Sequence, residues 1–146
     1  MAPEVLLLTE KEIVERCVCT KVRTAARLIT HAYDDALRPS GLRVTQFALL
    51  AAIGADKSVS ITALAQLLDM DRTTLSRNLR PLEKDGLVKL GSDGKGRSRT
   101  LELTLKGRER FQEAIPLWEK AQDSFRHKIG DPTWNSISHD LGILTQ

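Results

Sequence analysis

The sequence predicts a mainly α fold with one small β hairpin, and three observations predict it. Apolar residues recur at i, i+3 and i+4 spacing at both ends and in the middle of the 146-residue chain. Short capping and stopping signals cut that pattern into separate helices. A single stretch with three glycines, Gly91-Ser92-Asp93-Gly94-Lys95-Gly96, lies between two runs with strand character, as a hairpin turn does. Aromatic residues are only 4% of the chain, but a hydrophobic fraction of 41% supplies enough Leu, Ala, Ile and Val for helix packing. The expected organisation is a single domain over 1–146, with a central module at 44–104 between helices at 9–37 and 105–146.

The elements follow in order. Thr9 and Glu12 have capping-box spacing, and Pro39-Ser40-Gly41 closes what reads as one long helix over 9–37. Along it Val14, Val18, Val22, Ala25, Ile29, Ala32 and Ala36 keep a 3.5-like repeat, a seam for another helix. Ser60 caps a short helix whose Ile61, Leu64, Ala65, Leu67 and Leu68 form a face to be buried. Ala65 is small, which lets a second helix cross closely. Leu68-Asp69-Met70 makes the turn, and Asp71 caps the next helix and opposes its positive end. In that helix Leu75, Leu79 and Leu82 make a buried stripe, while Arg72, Thr73, Ser76, Arg77 and Arg80 take the remaining surface. Asp85-Gly86 stops it, Leu87 to Leu90 begins a strand, and Arg97 to Thr104 returns with Leu101 and Leu103 on one face. A helix from about Leu105 to Ile129 follows. Asp131-Pro132 then opens a last helix carrying Trp134, Ile137, Leu141 and Leu144, a second seam. Pro81 and Pro116 are expected to kink their helices.

Helix, tight turn, polarised helix and basic hairpin form the order of a winged helix-turn-helix. Arg can pair bidentately with guanine O6 and N7, and Thr or Ser can bond phosphate or touch a thymine methyl. A mobile basic hairpin tip suits the minor groove or phosphates. The expected DNA-binding residues are therefore Arg72, Thr73, Thr74, Ser76, Arg77, Arg80, Lys95, Arg97 and Arg99. Charge agrees: from Arg72 to Arg110 eleven Lys/Arg face five Asp/Glu, a local +6 in a chain whose total is +3. The loop GSDGKG lacks the GxxxxGK[ST] spacing and leads into a strand, which argues against nucleotide binding. Two apolar seams outside the central module predict a two-fold symmetric homodimer on double-stranded DNA, one half-site per subunit. The absence of an 18-residue apolar run and of a signal-peptide pattern gives the expectation of a cytoplasmic protein with no membrane partner.

Cys17 and Cys19 are the only cysteines. On a continuous helix, residues two apart differ by about 200°, so these thiols cannot share an ion or bond each other unless the helix breaks. His31, His127 and His139 are scattered and read as surface or capping residues, so neither metal nor cofactor is expected. Two alternatives to a DNA reader stay open. A thiol peroxidase using Cys19 would need an activating constellation around it, and a winged helix used only for protein docking would not need the concentrated charge.

The whole arrangement resembles the MarR family of winged-helix regulators. The resemblance is carried by Tyr33, Leu37, Gly41-Leu42, Thr45-Gln46-Phe47, Leu64-Ala65, the run from Asp71 to Arg77, the run from Leu82 to Val88, Arg97, Leu103-Thr104 and Gly107. It implies a dimeric repressor, less often an activator, released by small anionic or phenolic ligands or by oxidation, and not an enzyme. Where the family commonly has Asp-Arg-Arg in the wing, this chain has Lys95-Gly96-Arg97. In the branch of the family that senses organic hydroperoxides, a reactive cysteine stands eight residues before an Arg and fourteen before a Tyr. Cys19 stands so to Arg27 and Tyr33, while Arg23 and Val44 occupy places where that branch has tyrosines. Cys19 and Tyr33 are therefore the redox candidates, about 21 Å apart along one helix, and the other reading is of two buried packing cysteines.

Overall fold

The computed structural model describes residues 8–56, 58–92 and 99–145, so Lys95 and Arg97 lie outside the described residues. The chain divides into two compact units at Tyr33. In the first, the Thr9 capping box opens α1 (Glu10–Arg16): Glu12 N–H donates to Thr9 Oγ1 at 3.3 Å and Thr9 N–H to Glu12 Oε2 at 2.9 Å. The expected single helix over 9–37 is corrected here. Cys17 leaves helical geometry with ψ 107°, and α2 (Val18–Leu37) begins after it. Its N–H still closes α1 on Ile13 O and its carbonyl opens α2 by accepting from Lys21. The 200° argument about the two thiols does not hold across this break. Nor are the cysteines buried in the chain: Cys17 is half-buried and Cys19 exposed.

The second unit holds the end of α2 and everything after it. Arg38–Ser40 make one 3-10 turn, closed by Gly41 at φ 73°. Asp34 then caps α3 (Val44–Ala55) from outside, accepting from Val44 N–H at 2.8 Å. β1 (Val59–Ser60) leads into α4 (Ile61–Leu67), and α5 (Arg72–Lys84) follows. β2 (Val88–Ser92) and β3 (Arg99–Leu103) are antiparallel with Leu90 opposite Leu101, and the sheet order is β1-β3-β2. α6 (Leu105–Ile129) and α7 (Asp131–Leu144) complete a mainly α fold with a small β wing. Both prolines sit inside helices that run through them, Pro81 in α5 and Pro116 in α6, so neither interrupts its helix. Thr104, expected at the end of the strand, instead caps α6. None of the described helices is long and apolar enough to cross a membrane.

The core is aliphatic. Leu37, Leu49, Leu50, Ile53, Leu64, Leu75, Leu82, Leu87 and Leu101 are its largest fully buried side chains. Phe47 extends it along α6 by stacking on Phe111 and Trp118, with ring centroids at 4.9 and 5.8 Å. One expectation for α4 fails: Leu67 is 69% exposed, because Leu64 and Ala65 already fill the contact with the neighbouring elements. Stability should follow this division. Leu75→Ala or Leu82→Ala is expected to cost about 2–5 kcal/mol, whereas Leu67→Ser should stay within about 0.5 kcal/mol, both read by urea denaturation.

Candidate nucleic-acid interface

The reader is built from caps outward. Ser60 Oγ accepts from Ala63 N–H at 3.0 Å and starts α4. At its end Met70 N–H reaches back to Ala65 O at 2.9 Å while Asp69 turns the chain at φ 48°. Asp tolerates this left-handed geometry better than most residues. Asp71 starts α5, accepting from Thr74 N–H at 2.9 Å on one oxygen and from Thr74 Oγ1 at 2.6 Å on the other. These bonds from Thr74 hold the Asp71 carboxyl below the usual carboxylate range. They also engage the Thr74 hydroxyl as a donor within the cap.

On α5 the faces divide as the sequence predicts. Leu75, Leu79 and Leu82 are buried, and Arg72, Thr73, Ser76, Arg77 and Arg80 are all exposed. These five side chains line one shallow groove of about 410 Å³. Arg72 also donates to Thr62 Oγ1 at 2.7 Å, tying α5 to α4. Among the described residues neither Arg77 nor Arg80 has a carboxylate partner, so both guanidinium groups are free for a ligand. In a groove of that size, free guanidinium groups and hydroxyls fit a polyanion with hydrogen-bonding edges.

In the wing, Arg99 is exposed at the start of β3. Lys89 does not stay free: its Nζ sits 3.3 Å from Glu102 Oε2, directly across the ladder. Two other cations of the basic stretch are also engaged. Arg110 Nη1 donates to Ser40 O at 3.0 Å, and Lys106 Nζ donates to Asp85 O at 2.7 Å. Sequence reading counted all three toward the basic patch. Their partners are a cross-strand carboxylate, two carbonyls and, for Arg110, also Glu113 at 3.7 Å, and no spacing rule reveals carbonyls so far away in the chain.

Of the redox candidates, Cys19 belongs to the first unit and Tyr33 to the second. Tyr33 is buried, its hydroxyl donates to Gln122 Oε1, and burial raises its pKa. Cys17 precedes α2 and its thiol is lowered by hydrogen bonds from the Thr20 side chain and backbone. The sequence offers Cys19 and Tyr33 as the possible redox residues, and the proximity of Cys17 to Thr20 arises where the helix breaks.

A turn-linked helix pair with a polar outer face, backed by a three-stranded wing, defines a winged helix-turn-helix protein. The sequence profile described as the MarR family matches residues 40–98. A crystal structure of the M. tuberculosis transcriptional regulator MosR in complex with DNA is 41% identical, covers 90% of this chain and 95% of its own, and superposes with a TM-score of 0.81. A structure of the transcriptional repressor CouR, bound to a 23-mer DNA duplex, is 21% identical with a TM-score of 0.84, covering 96% of this chain and all of its own. The HTH-type transcriptional regulator YwoH of Bacillus subtilis (strain 168) is 21% identical over 133 residues, 91% of this chain and 97% of YwoH. The chain belongs to the MarR family and is a transcriptional regulator of that type.

The Asp71 cap gives a pH test. Because its folded-state pKa is depressed, its contribution is complete above the usual carboxylate range and is lost as pH falls through the lowered value. Asp71→Asn keeps a capping oxygen without the charge. Its melting temperature is expected to lie below the parent's at neutral pH, and the gap to narrow as pH falls below the usual carboxylate range. A constant gap across that range, read by circular dichroism, excludes a role for the charge.

Proposed function

We propose that this chain is a sequence-specific DNA-binding repressor that works as a homodimer on a palindromic operator, with Arg72, Thr73, Ser76, Arg77 and Arg80 entering the major groove. The observation that carries this reading is the groove on α5, where five polar side chains converge opposite a wholly buried leucine stripe. Residues from the N-terminal part of such a helix reach base edges, and the wing residue Arg99 contacts a flanking phosphate. The sequence adds Lys95 and Arg97 to that second role. MosR and CouR, whose structures hold DNA, share this fold.

The homodimer is supported by apolar side chains left uncovered at both ends of the chain. Ile13, Val14, Val18 and Val22 are exposed on α1 and α2, Val18 at 70%. On α7, Ile137, Leu141, Ile143 and Leu144 are exposed as well. Uncovered side chains at regular helical spacing are what a self-complementary interface uses.

Release by oxidation is supported by the exposed Cys19 beside a break in the helix and by the lowered thiol at Cys17. A hydroperoxide would transfer its terminal oxygen to the Cys19 thiolate, giving a sulfenic acid and releasing an alcohol. A small-molecule effector is the other route to release. Oxidation predicts that operator complexes dissociate on hydroperoxide addition, with one equivalent consumed per chain, and that Cys19→Ser blocks this. Equal release from parent and variant, or no release from either, removes Cys19 from the mechanism, and no release from either favours the effector. Catalytic turnover with a reductant would favour the thiol peroxidase.

The reader assignment is tested separately, by fluorescence anisotropy across a salt series. Arg77→Ala should cost about 1–3 kcal/mol on the operator and relax specificity at one base position. Arg99→Ala should weaken all sequences alike and reduce the salt slope by about one. Parent-like binding by both variants would place the reader elsewhere.

A further inference from the structure

The recognition helix and the long helix α6 are bonded end to end, and DNA contact does not account for the residues that do it. α5 finishes in a Schellman turn, with Leu87 N–H donating to Leu82 O at 2.9 Å, Gly86 N–H to Glu83 O at 3.0 Å, and Gly86 at φ 71°. The next three carbonyls are all taken by the start of α6. Lys106 Nζ donates to Asp85 O at 2.7 Å, Thr104 Oγ1 to Gly86 O at 2.6 Å, and Thr104 N–H to Leu87 O at 3.1 Å. The same Thr104 hydroxyl accepts from Gly107 N–H at 2.9 Å and so caps α6.

Gly107 is what lets the two ends approach. A Cβ there would lie 2.0 Å from Leu87 O, so any other residue would push backbone against backbone. Electrostatics favours the same contact. The negative end of α5 meets the positive end of α6, and the Lys106 ammonium adds a full charge where carbonyl oxygens concentrate. The hairpin over 88–103 thus leaves and re-enters at one closed point, which makes the joint independent of the wing tip.

We infer that Lys106, with Thr104 and Gly107, is a positioning residue that fixes the attitude of the recognition helix on α6. Its charge is spent on the joint and not on a phosphate. The 25 residues of α6 make a lever of about 37 Å, so a few degrees of play at its first turn would let the reader pivot. In a homodimer, such play would loosen the spacing at which two readers fit one duplex, a consequence that rests on the homodimer proposed above.

The test uses a duplex that the parent chain selects from a random-sequence pool, and a second duplex with one base pair inserted at its centre. Lys106→Met is expected to bind the selected duplex about 3- to 30-fold more weakly at an unchanged salt slope. Its preference for the selected over the lengthened duplex should fall to a third of the parent's or less. Lys106→Arg, which can still donate to the Asp85 carbonyl, should restore both. Partial unfolding would lower the active fraction, read by stoichiometric titration, and leave the spacing preference untouched. A salt slope reduced by about one with the preference intact would make Lys106 a phosphate ligand and overturn the inference. Parent-like behaviour on both readouts would overturn it too. If the parent sediments as a monomer and shows no spacing preference, the homodimer fails instead, and affinity loss at constant slope alone decides the joint.

Discussion

Burial of Leu75, Leu79 and Leu82 is the constraint on which the rest of the molecule depends. These side chains lie at i, i+4 and i+7, and hiding all three from water is worth several kcal/mol by area. Once that face is turned inward, the helix has no rotational freedom left. Arg72, Thr73, Ser76, Arg77 and Arg80 must then share the opposite surface, which is where the groove is found. Function here follows from packing, because the apolar stripe aims the polar side chains.

A second level of control is exercised at helix ends. α4, α5 and α6 are each opened by a side chain three residues before the N–H it satisfies: Ser60, Asp71 and Thr104. Their closures use Asp69 and Gly86 in left-handed geometry, so the turns between elements are short and stiff. Stiffness matters for a regulator, since base-edge recognition tolerates little positional error. Asp34 capping α3 and Arg110 bonding the Ser40 carbonyl extend the same logic across the second unit.

Charge is less freely available than its count suggests. Of the cations between Arg72 and Arg110, Lys89 faces Glu102 and two others are bonded to backbone carbonyls. An arginine or lysine next to a recognition helix can therefore be a structural member with no ligand at all. Arg77 and Arg80 line the groove without a carboxylate partner among the described residues, and unlike Arg72 neither is tied to Thr62.

The sequence by itself determined the order of elements, the caps at Thr9, Ser60 and Asp71, the buried stripe and the polar face, because these depend on spacing within one helix or turn. Such interactions reach three or four residues and leave a local trace. Tertiary structure alone decided the exposure of Leu67 and the bonds of Tyr33 to Gln122 and of Lys106 to Asp85. Thr104 shows the boundary between the two. Its cap on Gly107 spans three residues and could have been read from the chain, but its bond to Gly86, eighteen residues away, exists only because the hairpin brings the ends of α5 and α6 together.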